Sequence, residues 1–138
     1  MRIAVVDDIA SERKLLFSRL TEQFARRGVH ADLFEYENGE SFLAGAKERP
    51  FTVVFLDIYM TGANGIETAK ELRGFDSDCL LVFTTTSSDH ALEGFRVRAM
   101  HYLVKPYEEK ELSGLTDEIL SRIPSSGKYL DVKVSGSN

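Results

Sequence analysis

The chain has 138 residues, with 17 basic and 22 acidic side chains, and its formal net charge at pH 7 is −5. This length favours one domain that buries a real core without disulfide staples, and the single cysteine, Cys79, lies in an apolar run where a buried, reduced thiol is expected. The apolar runs are far shorter than the ~20 residues that span a bilayer, and an acidic chain is poorly suited to bind nucleic acid by itself, so we expect a cytoplasmic protein that contacts no membrane.

Short apolar segments alternate along the chain with longer segments of helical spacing. This alternation predicts an α/β fold in which crossover helices join the strands of a parallel sheet. Segments 3–6, 52–56 and 80–83 have no polar alternation, as expected of interior strands, whereas 31–36 carries two acids and suits an edge. In chain order the predicted elements are strand 3–6, helix 11–27, strand 31–36, helix 40–48, strand 52–56, helix 64–73, strand 80–83, helix 89–95, strand 102–104 and helix 108–122.

Turn-forming residues mark the ends of several predicted helices. Gly28 follows the first helix, where a C-cap favours positive φ, and Pro50 and Pro124 close the second and the fifth. Ser88 or Asp89 is predicted to cap the N-terminus of the fourth helix.

The residues after the fifth helix differ in composition. Residues 124–128 are typical of a linker, and within 129–138 apolar residues alternate with polar ones as in an amphipathic strand. Because a lone strand is not stable, this segment either pairs with the preceding sheet or begins a second domain that is truncated here. We expect the truncated domain.

Polar side chains follow several of the predicted strands. Asp7 and Asp8 come after the first strand, Asp57 after the third, and Lys105 after the fifth. The fourth strand is followed by consecutive threonines, of which Thr85 is preferred by its spacing from the next helix. Because the carboxyl ends of parallel strands meet at one edge of the sheet, where such folds bind ligands, we expect these groups to converge.

Clustered carboxylates imply a bound cation. Like charges about 4 Å apart repel by roughly 4 kcal/mol at an effective dielectric constant of about 20. Carboxylate oxygens suit Mg²⁺, which would also offset the charge of a phosphoryl donor. An aspartate in such a site is a candidate nucleophile that forms an aspartyl phosphate.

As an ordered set, these residues resemble the receiver domain of two-component response regulators. The resemblance covers about residues 1–123 and implies a flavodoxin-like (βα)5 fold, a doubly wound five-stranded parallel sheet. It implies a phospho-acceptor switch with slow self-dephosphorylation rather than an enzyme. The residues that carry it are Asp7, Asp8, Asp57, Gly65, Thr85, Tyr102, Lys105 and Pro106.

The resemblance also implies a role for each residue of the set. Asp57 would accept a phosphoryl group from a sensor histidine kinase. Mg²⁺ would be bound by Asp8 and Asp57, by Asp7 partly through water, and by the backbone carbonyl of Tyr59. Lys105, joined to Pro106 by a cis bond, would bind a phosphoryl oxygen, while Thr85 and Tyr102 would form the switch pair that reports phosphorylation.

A narrower likeness is to receivers of the LytTR class, whose C-terminal domain binds DNA. It lies in residues 90–95 and 99–106, and segment 129–134 resembles the opening of that DNA-binding domain. The phosphorylation switch would lead to homodimerisation through the fourth and fifth helical segments, with DNA bound only through the missing domain. Arg96 and Arg98 are either ordinary solvated charges or interface residues of that dimer. Thr61 departs from the family pattern, in which proline often stiffens the loop after the acceptor.

Three other readings are weaker. A phosphatase of the haloacid dehalogenase type needs a second aspartate at the position of Tyr59, and a flavin carrier on the same fold would find its phosphate repelled by Asp7 and Asp8. A degenerate receiver that only binds protein would lack some of the groups found here. The three histidines are not spaced as metal ligands are, so we expect surface or partly buried side chains that bind no metal. They are His30, His90 and His101.

Overall fold

The continuously apolar segments of the sequence form the centre of a five-stranded parallel sheet. A computed structural model describes residues 1–123 of the chain, and the strand order is β2-β1-β3-β4-β5. The predicted α/β class, the interior strands and the edge position of the second strand are therefore confirmed. The elements are β1 (Arg2–Val6), α1 (Ala10–Arg26), β2 (Asp32–Tyr36), α2 (Gly39–Glu48), β3 (Val53–Asp57), α3 (Gly65–Arg73), β4 (Leu80–Thr85), α4 (Ala91–Arg96), β5 (His101–Val104) and α5 (Glu109–Arg122).

Alternate side chains of the sheet enter two separate cores. On one face, Val54 and Phe83 pack with apolar residues of α2 and α3 and with Val97 after α4. On the other face, Val5 and Phe55 pack with α1 and α5. This two-sided burial explains why the interior strands carry no polar alternation.

The helix ends agree with the sequence at some positions and differ at others. Gly28 follows α1 with φ of 68°, as its predicted capping role requires. The predicted cap at Ser88 or Asp89 is wrong, because α4 begins after His90 and no side chain caps it. The reason is local: the Ser87 hydroxyl accepts from the Asp89 N–H and the Ser88 carbonyl accepts from the Ala91 N–H, so these residues form turns of their own.

Cys79 is buried and free, as predicted, and burial raises the pKa of its thiol to about 11. Within residues 1–123, no helix combines the length and apolar character that a bilayer crossing requires. The predicted linker at 124–128 and the predicted start of a second domain at 129–138 lie outside the described residues.

Candidate functional site

Two aspartates reach the carboxyl edge of the sheet because neighbouring strands end there in register. Val6 of β1 pairs with Leu56 of β3, so Asp7 and Asp57 follow equivalent positions on adjacent strands. Each is buried, with 4% of its surface exposed, and Asp8 is partly buried beside them. Side chains alternate along a strand, which places Asp7 and Asp57 on the same face. The sheet thus supplies two fixed carboxylates and the loop after β1 supplies a third.

The three carboxylates form a compact acidic cluster. One oxygen from each of Asp7, Asp8 and Asp57 lies within 4.8 Å of the others. Three negative charges at this separation repel one another strongly, and two of them have little contact with water. A hard divalent cation with oxygen ligands fits both the charge and the donor set. The cluster that the sequence predicted therefore fits a Mg²⁺ site.

Among the described residues, Lys105 is the basic side chain that lies at the edge of the acidic cluster. Its Nζ donates to Asp7 Oδ2 at 2.9 Å and lies 3.9 Å from Asp57 Oδ1 and 3.7 Å from Glu12 Oε1. Burial works against its charge, but the hydrogen bond to Asp7 and the neighbouring carboxylates outweigh that effect and raise the pKa of Lys105. The Lys105–Pro106 bond is cis, as the resemblance implied. Lys105 is thus a fixed cation at the edge of the cluster.

Burial and the neighbouring aspartates raise the pKa of Asp57, whereas Lys105 lowers it. Desolvation, with the charges of Asp7 and Asp8, outweighs Lys105 and a hydrogen bond from the Tyr59 N–H, and raises the pKa of Asp57 to about 7. A second positive charge at this position would therefore favour the ionised form, which is the nucleophilic one.

Thr85 and Tyr102 lie on the side of the sheet that faces α4. Thr85 has no exposed surface and shares the face of β4 that carries Phe83, whose ring lies 6.1 Å from that of Tyr102. Thr84 occupies the opposite face because side chains alternate, and Thr86 is exposed. This placement favours the choice of Thr85 over its neighbours.

The hydroxyl groups of this pair bind the β4–α4 loop. Thr85 Oγ1 accepts from the Ser87 N–H at 3.3 Å. Tyr102 Oη donates to the Ser87 carbonyl at 3.0 Å and accepts from the His90 N–H at 3.2 Å. Among the described residues, Thr85 makes no hydrogen bond to the carboxylates in this state. The pair therefore connects the site edge to the start of α4.

The loop between β3 and α3 closes the site on one side. A Cβ on Gly65 would lie 2.2 Å from the carbonyl oxygen of Asp57, so only glycine permits this approach. Asn64 and Glu67 form a capping box at the start of α3 that sequence reasoning missed, although the S/T/D/N-x-x-E spacing was available to indicate it. Thr61 also contacts the cluster, because it donates hydrogen bonds to Asp8. In the sequence, the feature that could have indicated this contact was threonine at a position where the family often has proline.

Comparisons with known proteins agree with this geometry. A family model described as the response regulator receiver domain matches residues 3–117. The sensory transduction protein LytT of Oceanobacillus iheyensis is 41% identical over 76 residues, which are 54% of this chain and 31% of that protein. The transcriptional regulatory protein ResD of Bacillus subtilis is 28% identical over 138 residues, 99% of this chain and 55% of that protein. The chain thus spans about half or less of the length of these relatives.

Among solved structures, one neighbour is the response regulator protein TrrA of Thermotoga maritima, crystallised in complex with Mg²⁺ and BeF. It is 31% identical, with a TM-score of 0.74, and the match covers 86% of this chain and 97% of that one. The fold is therefore shared with a protein that holds Mg²⁺.

Proposed function

The chain belongs to the response regulator receiver domain family, and from this membership we propose that Asp57 is a phospho-acceptor served by a sensor histidine kinase. The observation that carries the proposal is the cluster of two buried aspartates, Asp7 and Asp57, with the partly buried Asp8, and with Lys105 at its edge. Phosphoryl transfer breaks the bond between phosphorus and the kinase histidine and forms a bond to an Asp57 oxygen. The chain is then a switch with slow self-dephosphorylation rather than an enzyme acting on other substrates.

The proposed cofactor is Mg²⁺, held by Asp8 and Asp57, by Asp7 partly through water, and by the carbonyl of Tyr59. When bound, the ion offsets the charge that a phosphoryl donor brings next to the carboxylates. Lys105, which lies within 4 Å of both buried aspartates, is placed to contact a phosphoryl oxygen as a point charge. The buried environment of Asp57 limits access of water to the phosphorylated group.

The proposed output is a change at α4 and β5. A phosphoryl group adds about −1.5 to −2 charges, and the hydroxyl of Thr85, the last residue of β4, would turn toward it. That turn would break the bond from Ser87 and alter the loop that Tyr102 holds at both Ser87 and His90. Phosphorylation would thereby bias a two-state equilibrium of the loop and of α4.

Homodimerisation is the proposed consequence of that bias. Leu92 and Phe95 of α4 expose 61% and 78% of their surfaces, and Val104 of β5 is also exposed. Exposed apolar side chains grouped on one face are typical of a protein contact. Arg96 at the end of α4 and Arg98 just after it are exposed and are the candidate interface charges. Regulation of transcription would follow through a C-terminal DNA-binding domain, which is proposed to begin after the linker at 124–128 and to act in the cytoplasm.

The direct test is incubation with acetyl phosphate and Mg²⁺ followed by intact mass measurement. The wild type should gain about 80 Da, the mass of one phosphoryl group, and the adduct should be labile to base as an acyl phosphate is. Asp57→Ala should gain nothing. Asp32→Asn, which alters an exposed acid at the far end of the sheet, is the matched control and should be phosphorylated like the wild type. A gain that persists in Asp57→Ala would identify a different acceptor.

A further inference from the structure

Asp8 differs from the other two carboxylates of the cluster in the groups that contact it. Asp7 accepts from Lys105 and from the Ile9 N–H, and Asp57 Oδ1 lies 3.9 Å from Lys105 Nζ. Asp8 is the partly buried member, and within residues 1–123 no lysine or arginine nitrogen lies in ion-pair range of it. Its position must therefore depend on neutral partners.

Those partners both come from one residue of the β3–α3 loop. Asp8 Oδ2 accepts from the Thr61 backbone N–H at 2.9 Å and from the Thr61 hydroxyl at 3.0 Å. The two residues are 53 positions apart, so the contact joins the loop after β1 to the loop after β3. Proline at position 61 would have neither donor.

The direction of these bonds matters for the cluster. Repulsion from Asp7 and Asp57 would turn a partly exposed carboxylate toward water and away from the other two. Two donors aimed at Oδ2 oppose that rotation, and within residues 1–123 Oδ1 accepts no hydrogen bond. Hydrogen bonds to one oxygen of a ligating carboxylate orient the other, and loss of such a bond commonly weakens metal binding by about 10- to 100-fold.

We propose that Thr61 is a positioning residue for the magnesium site, which holds Asp8 through Oδ2 and keeps Oδ1 available to the cation. This inference rests on the proposed function, because it assumes that the acidic cluster binds Mg²⁺. It extends that function because it predicts that the Thr61 hydroxyl increases the affinity of the site for Mg²⁺. Gly62, with φ of 83°, turns the chain directly after Thr61, so the exposed loop can present both donors to Asp8.

The test is a titration of the full chain with Mg²⁺ alone, followed by two-dimensional amide NMR. Thr61→Val keeps the β-branched shape and the backbone donor but removes the hydroxyl, and Thr61→Ser keeps both donors. We expect Thr61→Val to raise the Mg²⁺ dissociation constant about tenfold, whereas Thr61→Ser should stay within about twofold of the wild type. The same spectra show whether each variant is folded.

A double-mutant cycle separates positioning from a general effect on the loop. If Thr61 acts through Asp8, Thr61→Val should change the dissociation constant by less than about twofold in an Asp8→Ala background, which leaves no acceptor for the Thr61 hydroxyl. Equal or tighter Mg²⁺ binding by Thr61→Val than by the wild type would overturn the inference, as would a full tenfold effect in the Asp8→Ala background.

These outcomes are distinct from failure of the proposed function. A wild type that does not bind Mg²⁺ at all would overturn both the metal site and the role of Thr61. A wild type that binds Mg²⁺ and is phosphorylated on Asp57, with an unaffected Thr61→Val, would overturn the role of Thr61 alone.

Discussion

Asp57 combines deep burial with negative charge in one carboxyl group. Its surface is 4% exposed, and two other carboxylates lie beside it with one lysine. The folded protein is therefore less stable when Asp57 is ionised without a cation than when it is protonated. A cation placed beside Asp57 would therefore stabilise the ionised carboxylate, which supports the proposed Mg²⁺ site.

The stability of the metal-free protein should depend on pH through this residue. The pKa of Asp57 is about 7 when folded, against 3.8 ordinarily, so the unfolded chain loses the proton first as pH rises. The contribution of Asp57 to the free energy of unfolding is therefore intact below pH ~4 and falls between pH ~4 and ~7. Asp57→Asn removes the charge and should be more stable than the wild type at pH ~8, by on the order of a few kcal/mol, because partial contact with water lowers the full effect of the pKa difference.

Urea denaturation in EDTA at about pH 4.5 and pH 8 measures this difference. The advantage of Asp57→Asn should shrink at the lower pH, where wild-type Asp57 is largely protonated in the folded state. An advantage that is the same at both pH values would contradict the assignment of the cost to Asp57 ionisation.

At the scale of elements, short polar contacts decide where helices start near the site. The capping box of Asn64 and Glu67 begins α3, and the next residue, Gly65, donates its N–H to the Ile58 carbonyl. The start of α3 is thereby joined to the chain that follows Asp57. By contrast, α4 begins without a side-chain cap and has only six residues, so it depends more on its packing and on Tyr102.

The cap at Asn64 should contribute measurably to stability. Asn64→Ala removes the acceptor for the Glu67 N–H, which lies 2.9 Å from Asn64 Oδ1, and should lower the free energy of unfolding by about 1 kcal/mol. Glu71→Ala is the control, because Glu71 is exposed on the same helix and is expected to matter by less than about 0.5 kcal/mol. Equal urea midpoints for Asn64→Ala and the wild type would show that water replaces the cap without cost.

At the scale of the whole molecule, Arg73 joins the end of α3 and the segment that follows it to the distant α4–β5 turn. From the end of α3, its guanidinium donates to the carbonyls of Val97 and Arg98 before β5 and to those of Asp76 and Cys79 before β4. Arg98 has a backbone φ of 59°, which residues other than glycine seldom adopt. The contacts therefore hold the α4–β5 turn against the body of the domain.

Loss of this arginine should destabilise the domain more than loss of a surface charge. Arg73→Met keeps much of the aliphatic stem but leaves partly buried carbonyls without donors, and should lower the free energy of unfolding by about 3 kcal/mol. Lys70→Met on the exposed face of α3 is the matched control, with an expected change below about 0.5 kcal/mol. Chemical denaturation of both variants makes the comparison, and similar losses would show that the carbonyl contacts contribute little.

Local patterns along the chain were sufficient to predict the fold class and the residues that meet at the sheet edge. Strand and helix periodicities are local, and in a parallel sheet the residue after each strand must lie at the carboxyl edge, so the positions of Asp7, Asp57 and Lys105 follow from the amino-acid order alone. The predicted cap at Ser88 or Asp89 failed because Ser87 offered a competing turn, a choice that propensity alone does not resolve.

The long-range partners of these residues, by contrast, depend on how the folded segments are arranged in space. The contact of Thr61 with Asp8 spans 53 positions, and the carbonyls bound by Arg73 come from two different loops. The raised pKa of Asp57 likewise requires burial and neighbours that strand order brings together. Such properties depend on distances between segments, and no local pattern along the chain encodes those distances.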